Sequence, residues 1–372
     1  MSSPTADDHQ HMAYALRLAA RGVYTTDPNP NVGCVIVAAN GDIVGQGWHE
    51  RAGKLHAEPL ALEEAGEAAN GATAYVTLEP CSHHGRTPPC ADQLITAGIS
   101  RVVYAAEDPN PIVSGAGAQR IIDAGVEVVA GVMAVEADEL NSGYVQRMRI
   151  GRPWVRCKLA VSVDGRTALA SGESQWITGE AARADVHRLR ARSSAILTGT
   201  GTVLADDPSL TARPAGDVEV LQPMRVVVDS QLRTPATAKL FAAESPVQIY
   251  HPDDVTPDDD ALEKAGATLK VVAATGSHPD LAAVLQDLGG QAINDVLVEA
   301  GPTLNGALLD AGLIDEIIVY QAASILGADS RGMFATETIT AMSERKELEL
   351  TDLRKFGSDL RMTYRILSSG GS

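Results

Sequence analysis

The feature that most restricts this chain is an alternation of strand-like and helix-like segments that runs through it twice, with one break between. In the first series, "CVIVAANGDIVGQGW" (34–48) reads as a hairpin around Asn40-Gly41, and His56–Ala69 reads as a helix. "ATAYVTLEP" (72–80) is strand, "ADQLITAGI" (91–99) helix, "RVVYAAEDP" (101–109) strand, "GAQRIIDAG" (117–125) helix and "VEVVAG" (126–131) strand. Ahead of them, Met12, Ala15, Leu16 and Ala19 stand at helical spacing in 9–21, and "TTDPNPNVG" (25–33) is a loop. Such alternation predicts a layered α/β architecture. The pattern breaks over "NSGYVQRMRIGRP" (141–153), and Gly151-Arg152-Pro153 reads as a junction. A second series follows: strands in 154–165, 195–200, 224–230, 247–251, 295–301 and 315–324, with helices in 180–193, 281–290 and 303–313. The stretch 251–261 reads as a polar loop. A chain of 372 residues exceeds one ordinary core, so the expected division is 1–150 and 151–372.

Charge narrows the partners. The net charge is −18, with 18 acidic against 9 basic residues in 1–150 and 30 against 21 beyond. Acidity spread over both halves argues against a nucleic acid as partner, because phosphate backbones are bound by net positive surfaces. It leaves room for a small anionic ligand held by local arginines. No segment approaches the ~18 consecutive apolar residues of a membrane span. No basic flank followed by an apolar run opens the chain. Four cysteines do not make a disulfide framework, so a cytoplasmic setting is expected.

Two of those cysteines carry chemistry. "LEPCSHHGRTPPC" (78–90) holds Cys81 and Cys90, and "HAE" (56–58) opens a predicted helix. His56, Cys81 and Cys90 offer one nitrogen and two sulfurs, which suits Zn²⁺ with one position left open, the pattern of a catalytic site. Two thiolates balance the metal's charge while water is activated. Glu58 is placed to take and return a proton. His-x-Glu with Pro-Cys is the signature of zinc deaminases acting on nucleobases, in which the glutamate is not a ligand. The usual Pro-Cys-x-x-Cys is replaced here by cysteines eight residues apart. Cys34 and Cys157 lie on apolar strands and read as small buried hydrophobes. His9 and His11 read as a solvated helix face. His83 reads as a substrate contact, since it lies between two softer ligands.

"PNPNVG" (28–33), "HAE" and "EPCSHHGRTPPC" together resemble the deaminase domain of the bifunctional deaminase/reductase family of riboflavin biosynthesis. The resemblance implies a cytidine-deaminase-like α/β/α domain. It also implies substrate contacts at Asn29, His49, His83 and Arg86. Asn and His can read a pyrimidine edge, and Arg can hold a phosphate.

In the second half, Lys158 stands on a strand before the turn signal Asp164-Gly165, and "VEAGPTLNGALL" (298–309) reads as strand, glycine turn and helix. The free N–H groups of that helix suit a phosphate, and equally the turn could be an ordinary βα connection. Lys-x-Ala-x-Ser-x-Asp-Gly (158–165), "ESQWIT" (173–178), "DDPSLTAR" (206–213) and Glu299-x-Gly-Pro-Thr resemble the same family's reductase domain. That domain is dihydrofolate-reductase-like and uses NADPH. The resemblance implies an NADPH site at Ala160, Trp176, Thr202, Asp206, Ser230 and Gly301, Pro302, Thr303, Leu304, Asn305, Gly306 and Ala307. It implies a substrate site at Ser174, Arg190, Leu210, Arg213 and Glu299. Lys158 and Asp206 are candidates for proton donation. Arg190 read alone would pass for a solvated helix face. The family's Glu-Gly-Gly is Glu299-Ala300-Gly301 here, a methyl that is tolerable unless the position needs φ > 0.

The expectation is therefore two consecutive steps on a phosphorylated pyrimidine, deamination at Zn²⁺ and reduction by NADPH, in a homo-oligomer. The alternatives are a monofunctional zinc deaminase with a non-catalytic C-terminal binding module, and a tRNA or nucleoside deaminase. The acidic charge disfavours tRNA, and neither alternative explains the motifs beyond 151.

Overall fold

The computed structural model describes residues 3–82, 88–111, 114–257 and 259–367. They form two compact units, Met1–Gly151 and Arg152–Ser372, each described by itself.

In the first unit, α1 (Ala6–Ala19) opens with a Thr5/Asp8 capping box that satisfies the first free N–H groups of the helix. Then come β1 (Gly33–Val37), β2 (Ile43–Trp48), α2 (Ala57–Ala65), β3 (Thr73–Leu78), α3 (Cys90–Thr96), β4 (Arg101–Ala106), α4 (Ala116–Asp123) and β5 (Glu127–Ala130). Helices α5 (Ala134–Leu140) and α6 (Ser142–Ile150) close it. The stretch expected to break the pattern is thus helical up to Ile150, and Gly151 ends α6 at φ 77, a conformation open to glycine.

The sheet runs β2-β1-β3-β4-β5, antiparallel through the hairpin and parallel from β3 onward. Strand alternation sends Cys34, Ile36, Ala74 and Val76 to one face, under α2, α3 and α4, and Val35, Val37, Tyr75 and Val103 to the other, under α1 and α5. Glycines bring α2 close: a Cβ on Gly45 would lie 2.1 Å from the Ala61 carbonyl oxygen.

The second unit contains β6 (Trp154–Val161), α7 (Glu180–Ala191), β7 (Ala195–Gly199), α8 (Thr200–Asp206), β8 (Met224–Val228), β9 (Val247–Pro252), α9 (Ala261–Lys264) and β10 (Ala267–Val272). A two-residue-per-strand ribbon, β11 (Ala274–Thr275) and β12 (His278–Pro279), follows, then α10 (Leu281–Gly290), β13 (Asp295–Val298), α11 (Pro302–Asp310) and β14 (Glu316–Gln321). A C-terminal hairpin, β15 (Leu348–Phe356) and β16 (Asp359–Ile366), completes a nine-stranded sheet of order β10-β9-β8-β7-β13-β6-β14-β16-β15. Strands β10 to β14 in that order are parallel and the hairpin is antiparallel. Helices α10 and α11 cover one face and α7, α8 and α9 the other. The strand order reverses around β6, β13 and β7, which opens a crevice beyond their carboxyl ends. Among the described residues no helix is long and apolar enough to cross a membrane.

Candidate functional site

In the first unit the structure brings His56, Cys81 and Cys90 together, their donor atoms all within 4.8 Å of one another. His56 stands at the N-cap position of α2 with its ring free of the helix, Cys81 follows β3, and Cys90 is the first residue of α3. His56 Nδ1 lies 3.8 Å from Cys81 Sγ and 3.3 Å from Cys90 Sγ, and the Cys90 N–H donates to Cys81 Sγ at 3.3 Å. The Cys90 thiol beside Cys81, and then the His56 ring, pull the Cys81 thiol down to about 4. Cys90 moves the other way, because Cys81 holds the shared charge. A nitrogen and two sulfurs converging with a thiolate already favoured is a donor set that fits Zn²⁺.

Glu58 sits one residue into α2 and is 3% exposed. Burial pushes its carboxyl up, against the pull of His56, which makes it a better proton acceptor than an exposed carboxylate. His49 and Asn29 also meet there: His49 Nδ1 donates to the Leu55 carbonyl (3.0 Å), and Asn29 Nδ2 donates to His49 Nε2 (3.0 Å). Burial holds His49 below its ordinary value, consistent with an accepting Nε2. His83 and Arg86 lie outside the described residues. Cys34 and Cys157 are fully buried in apolar clusters, and burial raises both thiols, Cys157 to about 12.

The second unit holds a cleft of 1370 Å³ over the carboxyl ends of β6, β7, β8 and β13. Lys158, Ala160, Ser174, Trp176, Arg190, Thr202, Asp206, Leu210, Arg213, Ser230 and Glu299 all line it, as do Gly301, Pro302, Thr303, Leu304 and Ala307. Asn305 and Gly306 do not. The turn of α11 carries both away: Asn305 Nδ2 donates to the Ala300 carbonyl (3.0 Å), and a Cβ on Gly306 would lie 2.2 Å from the Ala335 carbonyl oxygen. Ala300 has no positive φ, so its methyl meets no backbone strain.

Glu299 organises the cations. Arg190 forks onto it through Nε (2.6 Å) and Nη2 (3.0 Å), and Lys158 Nζ lies 3.5 Å away. Arg190 is thus neither a solvated helix face nor an uncommitted phosphate binder. Arg213 differs: its guanidinium donates to the Ser209 and Thr211 hydroxyls, and among the described residues no carboxylate pairs with it. The approach to Arg213 is strained, with Asp207 at φ 41 and Leu210 at φ 49.

Sequence reasoning missed several supporting residues. His187 Nδ1 accepts from the Arg213 backbone N–H (3.2 Å), Arg183 lies 4.7 Å over the Trp176 ring, and Asp164, read from sequence only as a turn residue, accepts from the N–H groups of Leu326 (3.1 Å) and Gly327 (2.9 Å). Each acts across a gap in sequence that no local motif reveals.

Residues 5–106 match the family described as cytidine and deoxycytidylate deaminase zinc-binding region, and residues 153–362 match the RibD C-terminal domain. The chain is 49% identical to the riboflavin biosynthesis protein RibD of Escherichia coli K12 over 95% of this chain and 98% of the relative. The structure of Acinetobacter baumannii RibD, 44% identical, superposes with a TM-score of 0.91, covering 97% of this chain and 99% of that one. A diaminohydroxyphosphoribosylaminopyrimidine deaminase/5-amino-6-(5-phosphoribosylamino)uracil reductase from Thermotoga maritima, 30% identical with the same coverage, gives 0.85.

Proposed function

The chain belongs to the RibD family of riboflavin biosynthesis proteins, and from that premise we propose how its residues divide the work of the family's two steps. It is a bifunctional enzyme that uses Zn²⁺ and NADPH. It deaminates 2,5-diamino-6-(5-phosphoribosylamino)pyrimidin-4-one and then reduces the ribosyl arm to ribityl. The monofunctional alternative is not favoured, since both family regions are present. The observation that carries the division of roles is the pairing of a His56/Cys81/Cys90 donor set with buried Glu58 in one unit and a Glu299-centred cleft in the other.

Residues 1–150 are the deaminase and 151–372 the reductase. His56, Cys81 and Cys90 hold the zinc, which when bound supplies Lewis-acid activation of water. Glu58 is placed to accept a proton from an attacking water and to return it to the departing amine. Asn29, fixed by His49, reads the pyrimidine edge together with His83, and Arg86 holds the phosphate. In the reductase, NADPH supplies the hydride. Ala160, Trp176, Thr202, Asp206, Ser230 and the start of α11 bind the cofactor. Arg213 holds the ribose phosphate. Ser174, Leu210, Arg190 and Glu299 shape the rest of the substrate site, and Lys158 or Asp206 protonates the reduced arm. The enzyme acts in the cytoplasm on a small molecule and not on nucleic acid.

The chain also forms a homo-oligomer. Among the described residues, strand β15 pairs on one side only and exposes Leu348, Leu350 and Leu353. A two-fold antiparallel pairing centred on Asp352 sets Glu349 against Lys355 of the second copy, while Arg354 and Arg361 neutralise Asp352 within its own chain. Leu350→Glu should yield monomers by sedimentation, and a monomeric wild type would remove the idea.

The test of function is to incubate the chain with the diaminopyrimidinone ribosyl phosphate, with and without NADPH, and weigh the products. Amine-to-oxygen exchange without NADPH, and two added hydrogens only with it, is the expected result. Deamination with no NADPH consumption would remove the reductase assignment.

A further inference from the structure

We infer that helix α4 is a bracket for the metal centre, with Glu79 and Arg120 as positioning residues, a role that rests on the zinc reading above. Where two cysteines stand two residues apart, one helical turn fixes both sulfurs. Here eight residues separate Cys81 from Cys90, so the two cysteines do not share one helical turn. At the centre, the Cys90 N–H to Cys81 Sγ bond and the Ala91 N–H to Cys81 carbonyl bond set the local register. Helix α4 grips the same two segments from outside.

Its first grip is Glu79, two residues before Cys81 and 3% exposed. A carboxylate so buried is costly unless its oxygens are met. No cation pairs with it among the described residues. Backbone N–H groups meet it instead: Asp108 (3.4 Å) and Gly115 (2.9 Å) on Oε2, Gly117 (3.0 Å) and Ala118 (3.0 Å) on Oε1. Three of those donors belong to the start of α4, where the helix field favours an anion. The approach is close enough that a Cβ on Gly117 would lie 1.8 Å from the Pro80 carbonyl oxygen. The peptide leading into Cys81 is thereby pressed against α4.

The second grip is Arg120, on the same helix. Its Nη1 reaches the carbonyl of Ser82, just after Cys81, at 3.5 Å. Its fork closes on Asp92, two residues after Cys90, with Nη2–Oδ2 at 2.8 Å and Nε–Oδ1 at 2.5 Å. One helix therefore holds the chain before and after Cys81 and also the helix that bears Cys90.

The test uses the full chain loaded with zinc, and separately with cobalt. Zinc release to a chromophoric chelator and the cobalt–thiolate absorption are followed in Glu79→Gln and Arg120→Ala. Outer-shell substitutions typically weaken metal binding about 10- to 100-fold. Release should quicken by about tenfold or more in Glu79→Gln, with a shifted cobalt spectrum, and the same in kind for Arg120→Ala. Arg120→Lys, which keeps charge but not the fork, should not restore it. Arg149→Ala, which breaks an exposed pair with Asp138 in the same unit, should release zinc like wild type. If Glu79→Gln does not fold, Arg120→Ala decides alone, because an exposed pair contributes little to stability. A wild type that takes up no zinc overturns the zinc reading and the bracket with it. A wild type that holds zinc, with release and spectrum unchanged in the folded variants, overturns the bracket alone.

Discussion

Glu299→Gln tests the electrostatic core of the reductase cleft. The Glu299 carboxylate is 11% exposed beside Arg190 and Lys158, which are 14% and 17% exposed. Burial raises its pKa, but the Arg190 guanidinium and Lys158 ammonium outweigh it and hold the carboxyl at about 2, against an ordinary 4.5. A folded value below the unfolded one stabilises the fold fully above pH ~4.5, and the contribution fades as pH falls through ~2. At 1.36 kcal/mol per pH unit, the difference is about 3 kcal/mol at neutral pH and about half that at pH ~3. Glutamine keeps an acceptor for Arg190 and loses the charge. For a unit of ~220 residues, about 3 kcal/mol corresponds to a fall in Tm of roughly 6–12 °C. Calorimetry of the full chain reads it in the transition that NADPH raises, since that transition belongs to the cofactor-binding unit. The deficit should be about halved at pH ~3 relative to neutral pH. An equal deficit at both pH values, or one below ~2 °C at neutral pH, would refute the charge argument, leaving only a neutral hydrogen bond at Glu299.

Three further outcomes follow from the geometry. Gly45→Ala forces a methyl to within 2.1 Å of the Ala61 carbonyl and should lift α2 off the sheet. A loss of about 1–3 kcal/mol in the first unit and weakened deamination are expected, and a change below ~0.5 kcal/mol would show that the helix can shift freely. Glu58→Gln should keep one equivalent of zinc and, when given the deaminated intermediate, normal NADPH oxidation, while deamination falls at least ~100-fold; normal ammonia release would end the proton-transfer role. Arg213→Ala should raise the reductase KM at least ~10-fold without altering deamination, and an unchanged KM would move the phosphate elsewhere in the cleft.

Periodicity and turn chemistry exposed most of the fold, because buried strands such as Gly33–Val37 are apolar throughout and Thr73–Leu78 is built of β-branched, aromatic and small apolar residues with a leucine at its end. The hidden elements share a physical cause. Helix α6 buries only Gly143, Tyr144 and Val145, too short a stripe to register as periodic. Strand β15 is exposed along most of its length, so its leucines alternate with charges and mark no core. Helix α8 is seven residues ending in acid, and it resembles the loop after it. At the site, His56, Glu58, Cys81 and Cys90 were legible because ligand chemistry restricts residue type. Glu79 stood inside the same motif and was passed over, since a carboxylate whose partners are backbone N–H groups leaves no trace in their side chains. The separation of Arg190 from Arg213 was equally invisible. It depends on Glu299, 109 residues beyond Arg190, taking one fork and leaving the other.

That separation explains how a strongly acidic chain can bind anions. The cleft is lined by Lys158, Arg183, Arg190, Arg213, Arg233, Lys239 and Arg331, against Asp206, Asp207, Asp280 and Glu299. Two of these opposed pairs cancel, Arg190 with Glu299 and Lys239 with Asp207. The remainder is net positive. Screening confines each charge's reach to about 8 Å at physiological salt, so the acidic surface repels an extended polyanion that must lie along it. A phosphate inside the cleft meets only the local excess. Net charge therefore decides what class of partner the surface accepts, and the arrangement of carboxylates among the arginines decides where a small anion settles. On that logic Glu299 makes Arg190 a fixed wall of the site, and Arg213, beside it, stays among the cleft cations that no carboxylate pairs with among the described residues.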